Sequence, residues 1–299
     1  MPIESKTGSG VTAHSSLKQY VYNGEDEASP SRHTIQAKST PPTEFHMPPS
    51  STSKRKTPSS PLNSTATPSP SPKKRKRVSA GYVPSSKYAH ICNLLTDSLT
   101  PNLICVFIGV NPGVKTATSG HAYAHPSNLF WKLAHKSGCT PRLCRPQEDQ
   151  DLPRLYALGH TNIVARVTKD ASELSAQEMD DGVAVLEEKI RRFRPECVCL
   201  VGKSIWETLF RVRHGRKIRK EEFRYGWQDE GENMGVVEEG EGGGEWTGAR
   251  LFVATTTSGL AAGMRPHEKE EVWRGLGDFV EKRRRERGIP EQGGKAAEG

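Results

Sequence analysis

One stretch of this chain limits its fold more than any other: six apolar residues at 103–108 are followed at once by the sequence GVNPG at 109–113. The apolar run is mostly aliphatic and β-branched and is too short to span a membrane, which predicts a strand buried on both faces. The Gly, Asn and Pro residues after it predict a turn in which the backbone can approach a ligand closely. Because open α/β folds bind ligands at the carboxyl ends of parallel strands, Asn111 is the first candidate functional residue.

Strand and helix patterns alternate along the rest of the chain. The predicted strands lie at 103–108, 159–167, 197–201 and 251–253. The predicted helices lie at 86–95, 127–135 and 183–193, from 202 onward, and around Val272, Leu276 and Phe279. Strand, helix, strand order at these lengths is typical of parallel βαβ units. The sequence therefore predicts a single three-layer α/β domain with a mostly parallel central sheet between helices.

The composition changes sharply at about residue 85. Residues 1–84 are dominated by Ser, Thr, Pro and Lys and show neither helical nor strand periodicity, so we expect a disordered tail. Residues 85–288 contain enough apolar positions for one buried core and form the predicted folded domain. Within it, the Gly- and Glu-rich stretch 228–248 is expected to be a flexible acidic loop. Residues 289–299 are expected to be disordered again.

The charge of the chain favours a polyanionic partner. The formal net charge is +8, which is typical of proteins that bind nucleic acid. The most concentrated basic segment lies in the Ser- and Pro-rich tail and is predicted to be a nuclear import signal, with a non-specific DNA-binding arm as the alternative. This segment consists of Lys73, Lys74, Arg75, Lys76 and Arg77. We therefore expect the protein in the nucleus.

The sequence argues against several other classes of protein and of functional site. The chain has no run of 18 or more apolar residues and no hydrophobic segment near Met1, so neither a transmembrane helix nor a secretory signal is expected. Its six cysteines are scattered without a CxxC pair, which favours reduced thiols over a metal site. The predicted strand ends also lack a Ser/His/Asp set, paired carboxylates and a Gly-rich phosphate loop. Such a site suits a reaction that needs only a positioned water and electrostatic stabilisation.

Five blocks of the sequence resemble one protein family. They are, in chain order, GVNPG at 109–113 with Tyr123, AHPSNLFWKL at 124–133, TNIVARVT at 161–168, VGK at 201–203 and TSGLAA at 257–262. Their order and spacing are similar to those of the mismatch-specific uracil/thymine DNA glycosylases, the thymine DNA glycosylase family of the uracil-DNA glycosylase superfamily. The resemblance covers residues 103–280, and the basic tail is similar to that of eukaryotic members, so we expect a fungal-like eukaryotic protein.

The resemblance implies a monofunctional DNA glycosylase acting in base excision repair. Such an enzyme flips uracil or thymine mispaired with guanine out of double-stranded DNA and hydrolyses its N-glycosidic bond, leaving an abasic site. No lysine lies in the motif turn to form a Schiff base, so no strand cleavage is expected. No cofactor or metal is implied. The expected partners are DNA with G·U or G·T mispairs and the proteins that process abasic sites, and we expect a monomer without membrane contact.

The resemblance also implies roles for single residues in the base pocket. Asn111 matches the asparagine whose amide oxygen orients the attacking water. Tyr123 matches the aromatic residue that stacks on the flipped base. Val110 and Gly113 match backbone positions at the pocket floor, and Asn162 matches a polar side chain near the pyrimidine edge.

Two further blocks correspond to DNA contacts. Lys203 and Ser204 at a helix start match a phosphate clamp, whereas the residues alone suit a capped helix with an exposed lysine equally well. The wedge loop (residues 255–262) matches the segment that fills the gap left by the extruded nucleotide. Its proposed contact residues are Ser258, Gly259, Leu260 and Ala261. Phe130 and Trp131 are expected in the core.

The chain departs from the family pattern mainly in the wedge loop. Thr255, Thr256 and Thr257 stand where Asn-Pro-Ser or Met-Pro-Ser is usual, and the arginine common in this loop is absent. Ala122 replaces a histidine of the thymine-active animal enzymes. These differences predict weaker activity on thymine than on uracil. They also leave a rival hypothesis, a mismatch-binding or scaffold protein of the same fold without turnover. A third hypothesis is a single-strand nucleic-acid binder that relies on the basic tail.

Overall fold

The computed structural model describes residues 81–237, 246–259 and 263–290. The predicted import signal at 73–77 and nearly all of the predicted disordered tail therefore lie outside the described residues, as do residues 291–299. Leu260 and Ala261 of the wedge loop also lie outside them. No helix within the described ranges combines the length and apolarity needed to cross a lipid bilayer.

A five-stranded sheet forms the centre of the described domain, in the order β2-β1-β3-β5-β4. The strands are β1 (Cys105–Gly109), β2 (Leu158–Asn162), β3 (Cys197–Val201), β4 (Gly226–Trp227) and β5 (Arg250–Ala254). β1 pairs in parallel with β2 and β3, and β3 pairs in parallel with β5. The two-residue edge strand β4 is antiparallel to β5. The predicted mostly parallel sheet is confirmed.

Six α-helices are present in the described ranges. They are α1 (Val114–Ser119), α2 (Phe130–Ser137), α3 (Leu152–Tyr156), α4 (Ala176–Phe193), α5 (Lys203–His214) and α6 (Pro266–Glu286). Successive side chains of β1 face opposite sides of the sheet because the strand alternates. Cys105 and Phe107 belong to a core built with α2, α3 and α6, whereas Val106 and Ile108 belong to a core built with α4 and α5. The domain thus has the predicted three layers, and Phe130 and Trp131 are buried in its core as expected.

The prediction of a helix at 86–95 is wrong. A single 3-10 turn spans Ser85–Tyr88, and no regular element follows it before β1. Asn93 explains the break, because its side chain accepts a hydrogen bond from Leu95 N–H at 3.1 Å and donates to Ala165 O at 3.3 Å. Such side-chain bonds to the backbone compete with helical hydrogen bonds.

Two other element boundaries differ from the sequence prediction. The helix expected at 127–135 begins at Phe130, because Asn128 Oδ1 accepts the Phe130 N–H at 2.9 Å and ends the preceding turn there. The strand expected at 159–167 ends at Asn162. α1 had no counterpart in the prediction, since its six residues carry no helical apolar period.

The segment predicted as a flexible acidic loop at 228–248 is ordered on both sides of the undescribed residues 238–245. Met234 pairs with Ala249, and Val237 pairs with Trp246, in antiparallel bridges. Met234 and Ala249 are buried in the core shared with α4 and α5, and Val237 is also buried. The few apolar residues of this stretch therefore hold it to the domain despite its many Gly and Glu residues.

Candidate active site

The loop after β1 is held by the loop after β2. Gly109 O accepts from Ile163 N–H, and Val110 O accepts from Val164 N–H, both at 2.9 Å. Pro112 O accepts from Thr168 N–H at 3.2 Å. Because these three bonds extend the parallel pairing of β1 and β2 past the ends of the strands, the GVNPG turn has a defined position at the carboxyl edge of the sheet.

The orientation of the Asn111 side chain is determined by its neighbours. Its Nδ2 donates to Arg166 O at 2.7 Å and to Thr168 Oγ1 at 2.8 Å. Thr168 Oγ1 in turn donates to Asp170 O at 2.8 Å, so its hydroxyl oxygen can only accept from Asn111. Since Nδ2 is committed to these acceptors, Oδ1 remains as an acceptor without a partner among the described residues.

The first turn of α4 supports this arrangement through Arg166. The guanidinium Nε and Nη2 of Arg166 donate to the two carboxylate oxygens of Glu178 at 2.5 and 3.0 Å. Glu178 also accepts from Ser175 N–H at 2.8 Å and completes the capping box of α4. The hydrogen bond from Arg166 lowers the pKa of Glu178 to about 2, so this carboxylate is ionised at neutral pH. The residue that holds Asn111 is therefore itself fixed to a helix terminus.

Two polar groups surround the α-carbon of Gly109. A Cβ atom at Gly109 would lie 2.4 Å from Asn162 Oδ1 and 3.3 Å from the Tyr123 hydroxyl oxygen. Asn162 is the register partner of Gly109 at the end of β2. The absence of a side chain at 109 thus allows Asn162 and Tyr123 to approach the turn that carries Asn111.

Tyr123 is buried on one ring face and carries an unpaired hydroxyl. Its ring stacks on Phe130 with a centroid distance of 3.9 Å and an interplanar angle of 11°. The hydroxyl is buried and has no hydrogen-bond partner in the described part of the chain. Burial raises the pKa of Tyr123 well above its ordinary value, so the hydroxyl remains a neutral donor. Unpaired buried polar groups are rare in folded proteins and often mark functional positions.

The remaining pocket positions lie in the same turn. Val110 is half-buried and packs against the core shared with α4 and α5. Gly113 has φ −71°, and a Cβ there would meet no atom within 4 Å. The free protein therefore has open space above Gly113, and the glycine is required neither by packing nor by its backbone angles.

The start of α5 adjoins the loop after β5. Gly202 has φ +132°, a conformation that only glycine adopts readily, and a Cβ there would lie 3.8 Å from Thr256 Cβ. Lys203 forms an ion pair with Glu207 at 3.2 Å and lies over the ring of Phe223 at 4.4 Å. Lys203 and Ser204 are both exposed, but the ammonium group of Lys203 already has these two partners.

The wedge loop is anchored as far as Gly259. Trp273 Nε1 donates to Thr255 Oγ1, and the buried ammonium group of Lys269 donates to Thr256 O, both at 3.1 Å. Burial lowers the pKa of Lys269.

Two contacts with the segment before α2 complete this anchoring. Thr257 O accepts from Leu129 N–H at 2.9 Å. A Cβ at Gly259 would lie only 2.4 Å from Ser127 O, so this glycine is required by a close approach of the two backbones. Hydrogen bonds and packing thus hold the described part of the loop, residues 255–259, without a proline.

Sequence reasoning assigned no role to the residues that orient Asn111. Arg166 and Thr168 lie in the block TNIVARVT, for which the resemblance implies a role only at Asn162. Glu178 was detectable as the fourth residue of a Ser-x-x-Glu capping box. The contacts of these residues with Asn111 and with one another could not be derived from spacing.

Comparisons with known proteins agree on one family. The family model described as the uracil DNA glycosylase superfamily matches residues 96–277. A relative from Schizosaccharomyces pombe (strain 972 / ATCC 24843), named "G/U mismatch-specific uracil DNA glycosylase", is 34% identical over 191 residues. That similarity covers 63% of this chain and 54% of the relative, so the chain matches about half the length of this relative.

Proposed function

The chain belongs to the uracil DNA glycosylase superfamily, and from this premise we propose that it removes uracil mispaired with guanine from double-stranded DNA. The name of the relative from Schizosaccharomyces pombe supports this substrate. The observation that carries the proposal is the orientation of Asn111, whose Nδ2 is occupied by Arg166 O and Thr168 Oγ1 while Oδ1 is left as an acceptor.

Asn111 acts in the proposed reaction by holding a water. The glycosidic C1′–N bond breaks, its electron pair leaves with the base, and the sugar acquires oxocarbenium character before the water oxygen bonds to C1′. Asn111 Oδ1 accepts a hydrogen bond from this water and directs its lone pair toward C1′. An amide cannot take the proton, which passes to solvent or to the departing base. Chemistry that lacks a general base at this position should be slow.

The groups around Gly109 bind the flipped base in this proposal. The free face of the Tyr123 ring stacks on the pyrimidine, since Phe130 covers the other face. Asn162 contacts the polar edge of the base, and the backbone at Val110 and Gly113 forms the pocket floor. Support comes from the crowding of Asn162 and Tyr123 at Gly109 and from the open space above Gly113.

Two neighbouring elements hold the DNA in this proposal. The start of α5, with Lys203 and Ser204, binds a DNA phosphate. Lys203 then pairs partly with this phosphate instead of with Glu207. The wedge-loop residues Ser258 to Ala261 fill the gap in the duplex. The proximity of Gly202 and Thr256 supports a joint action of the two elements on one strand of DNA.

Thymine opposite guanine is a second, poorer substrate in this proposal. The non-catalytic scaffold alternative rests on the altered residues of the wedge loop. The hydrogen bonds that Trp273 and Lys269 donate to Thr255 and Thr256 hold the first residues of this loop in place and so support the glycosylase hypothesis. We also propose action in the nucleus, which the basic segment at 73–77 supports. The proposed enzyme acts as a monomer, upstream of proteins that process abasic sites.

The test is base release from duplexes carrying G·U, G·T, A·U or G·C, with enzyme in excess. Wild type is expected to release uracil from G·U fastest, with G·T slower and G·C intact. Asn111→Ala should bind the same duplex but release uracil slower by on the order of a hundredfold, since the water is no longer positioned. Asn233→Ala is the matched control, because its Nδ2 also donates to a backbone carbonyl, Thr247 O at 3.0 Å.

Two outcomes would contradict the proposal. Wild type that binds G·U duplex without releasing any base would favour the scaffold alternative. Unchanged uracil release by Asn111→Ala would show that Asn111 does not hold the attacking water.

A further inference from the structure

Asp149 is a fully buried carboxylate that contacts the segment immediately before Tyr123. It lies in the 3-10 helix Pro146–Asp151, which follows α2 in the chain. Its Oδ2 accepts from Ala122 N–H at 2.7 Å, and its Oδ1 accepts from Gln150 N–H at 2.9 Å. The Nδ1 atom of His121 lies 3.1 Å from Oδ1. Both carboxylate oxygens are therefore occupied by donors.

The ionised form of Asp149 is maintained despite its burial. Burial raises the pKa of this carboxyl, but hydrogen bonds from His160, Ala122 N–H and His121 outweigh it, so the pKa lies below its usual value. His160, on β2, places Nε2 3.5 Å from Asp149 Oδ2. An unpaired buried charge is costly. Any movement of these donors away from Asp149 is therefore unfavourable.

Tyr123 needs such support because its backbone is in the left-handed region, with φ +54°. A non-glycine residue adopts this conformation only where its surroundings impose it. Both backbone groups of the preceding residue are held: Ala122 N–H by Asp149, and Ala122 O by Trp131 Nε1 at 3.2 Å. We infer that Asp149 is a positioning residue that places the Tyr123 ring for stacking on the flipped base. This inference rests on the proposed function.

The substitution Asp149→Asn tests the inference at nearly constant volume. Each oxygen of Asp149 accepts a backbone N–H, and asparagine has only one oxygen. In either orientation, an amide N–H₂ group therefore faces the N–H of Ala122 or of Gln150. The side chain can keep only one of the two bonds, and the repulsion loosens the turn before Tyr123.

The experiment is a double-mutant cycle on uracil release from G·U duplex with enzyme in excess. Asp149→Asn and Tyr123→Ala are each expected to slow release about tenfold or more, through misplacement and loss of the stacking ring respectively. The double variant should be no slower than Tyr123→Ala alone, because Asp149 acts through this ring. If Asp149 only stabilised the fold, Asp149→Asn would slow uracil release by the same factor in the wild-type and in the Tyr123→Ala protein.

Glu187→Gln is the matched control. Glu187 also accepts a backbone N–H, that of Gly235 at 2.6 Å, but it lies on α4 and contacts Arg213. Its release rate should equal that of wild type.

If Asp149→Asn fails to fold, His121→Ala replaces it in the double-mutant cycle. The His121 side chain is 30% exposed, and its removal leaves the bonds from Ala122 N–H and Gln150 N–H to Asp149 intact. About threefold slower release is expected, and no further loss in the Tyr123→Ala background.

Two results would overturn the inference: wild-type rates for the Asp149 or His121 variant, or multiplicative losses in the double variant. Failure of the proposed function is distinguishable, since wild type itself would then release no uracil.

Discussion

At Asn111 the proposed chemistry depends on which of the two amide atoms, Oδ1 or Nδ2, faces the substrate. The carbonyl of Arg166 can only accept a hydrogen bond, and the hydroxyl of Thr168 donates to Asp170 O. These two neighbours therefore assign the nitrogen to the protein and leave the oxygen for a water. Asn111 is half-buried, and its Oδ1 is not a buried atom, so a water can reach this acceptor.

Gly113 allows a prediction at the same scale. In Gly113→Ala the new methyl group enters open space at a φ of −71° that alanine adopts without strain, so the free energy of unfolding should be unchanged or rise by about 0.5 kcal/mol. The methyl group would occupy the proposed floor of the base pocket, so uracil release should fall by about tenfold or more. Denaturant unfolding and base release measure the two effects separately.

Gly231→Ala provides the comparison for Gly113. A Cβ at Gly231 also meets no atom within 4 Å, and this residue lies in the 3-10 helix Glu230–Glu232 rather than in the GVNPG turn. Its release rate should equal that of wild type. Full activity of Gly113→Ala would show that the base does not approach this position.

At the scale of elements, the first turn of α4 reaches Asn111 through one ion pair. Arg166 joins Glu178 by two hydrogen bonds, and its own carbonyl holds Asn111 Nδ2. The loop after β2 is thus braced between a strand end and a helix start. Such bracing explains how a segment without regular structure can keep a side chain in one orientation.

Glu178→Gln should change stability in a pH-dependent way. The pKa of Glu178 is lowered from 4.5 to about 2, so its pairing stabilises the fold fully above about pH 4.5 and is lost as the pH falls toward 2. The variant should therefore be less stable than wild type at pH 7, and the difference should shrink toward pH 2. Urea unfolding at several pH values measures this, and uracil release at pH 7 should also slow.

The control for this prediction is Glu188→Gln on the same helix. Glu188 pairs with Arg191 but is 68% exposed, so its loss should have little effect at any pH. A stability difference for Glu178→Gln that is constant from pH 7 to pH 2 would contradict the role of the Arg166 pair.

At the scale of the whole molecule, Val83, which precedes the domain boundary predicted at residue 85, contacts the folded domain. Val83 N–H donates to Glu173 O at 3.0 Å. The buried Glu173 carboxylate accepts from Tyr88 Oη at 2.8 Å and from Lys87 Nζ at 3.1 Å. Because Arg166 Nη2 also donates to Glu173 O, the segment around Tyr88 is connected to the loop that holds Asn111.

Two truncations should therefore differ. Deletion of residues 1–80 removes the basic tail, so the unfolding free energy should be retained while DNA affinity falls and depends less steeply on salt. Deletion of residues 1–89 also removes Lys87 and Tyr88, so the Glu173 carboxylate loses their charge-assisted hydrogen bonds, at a cost of about 1–3 kcal/mol. Denaturant unfolding and salt titration of duplex binding distinguish the two. Equal stability of both truncations would contradict this prediction.

The sequence alone was sufficient for the fold class and for the elements with a strong period. β1 and β3 are buried on both faces, so their apolar runs are visible without knowledge of any partner. The helices α4 and α6 each present one apolar face to the sheet, and that periodicity is also local. The GVNPG block placed Asn111 directly after β1 for the same reason.

Only the tertiary structure decided how the site is held together. Asn111 is oriented by residues 55 and 57 positions away in the chain, and Ala122 is held by a carboxylate 27 positions away. Contacts at these separations depend on how strands and loops pack, which leaves no periodic trace in sequence. The sequence therefore determined which residues stand at the carboxyl edge of the sheet, and the packing of distant loops determined which atoms of those residues are left for a substrate.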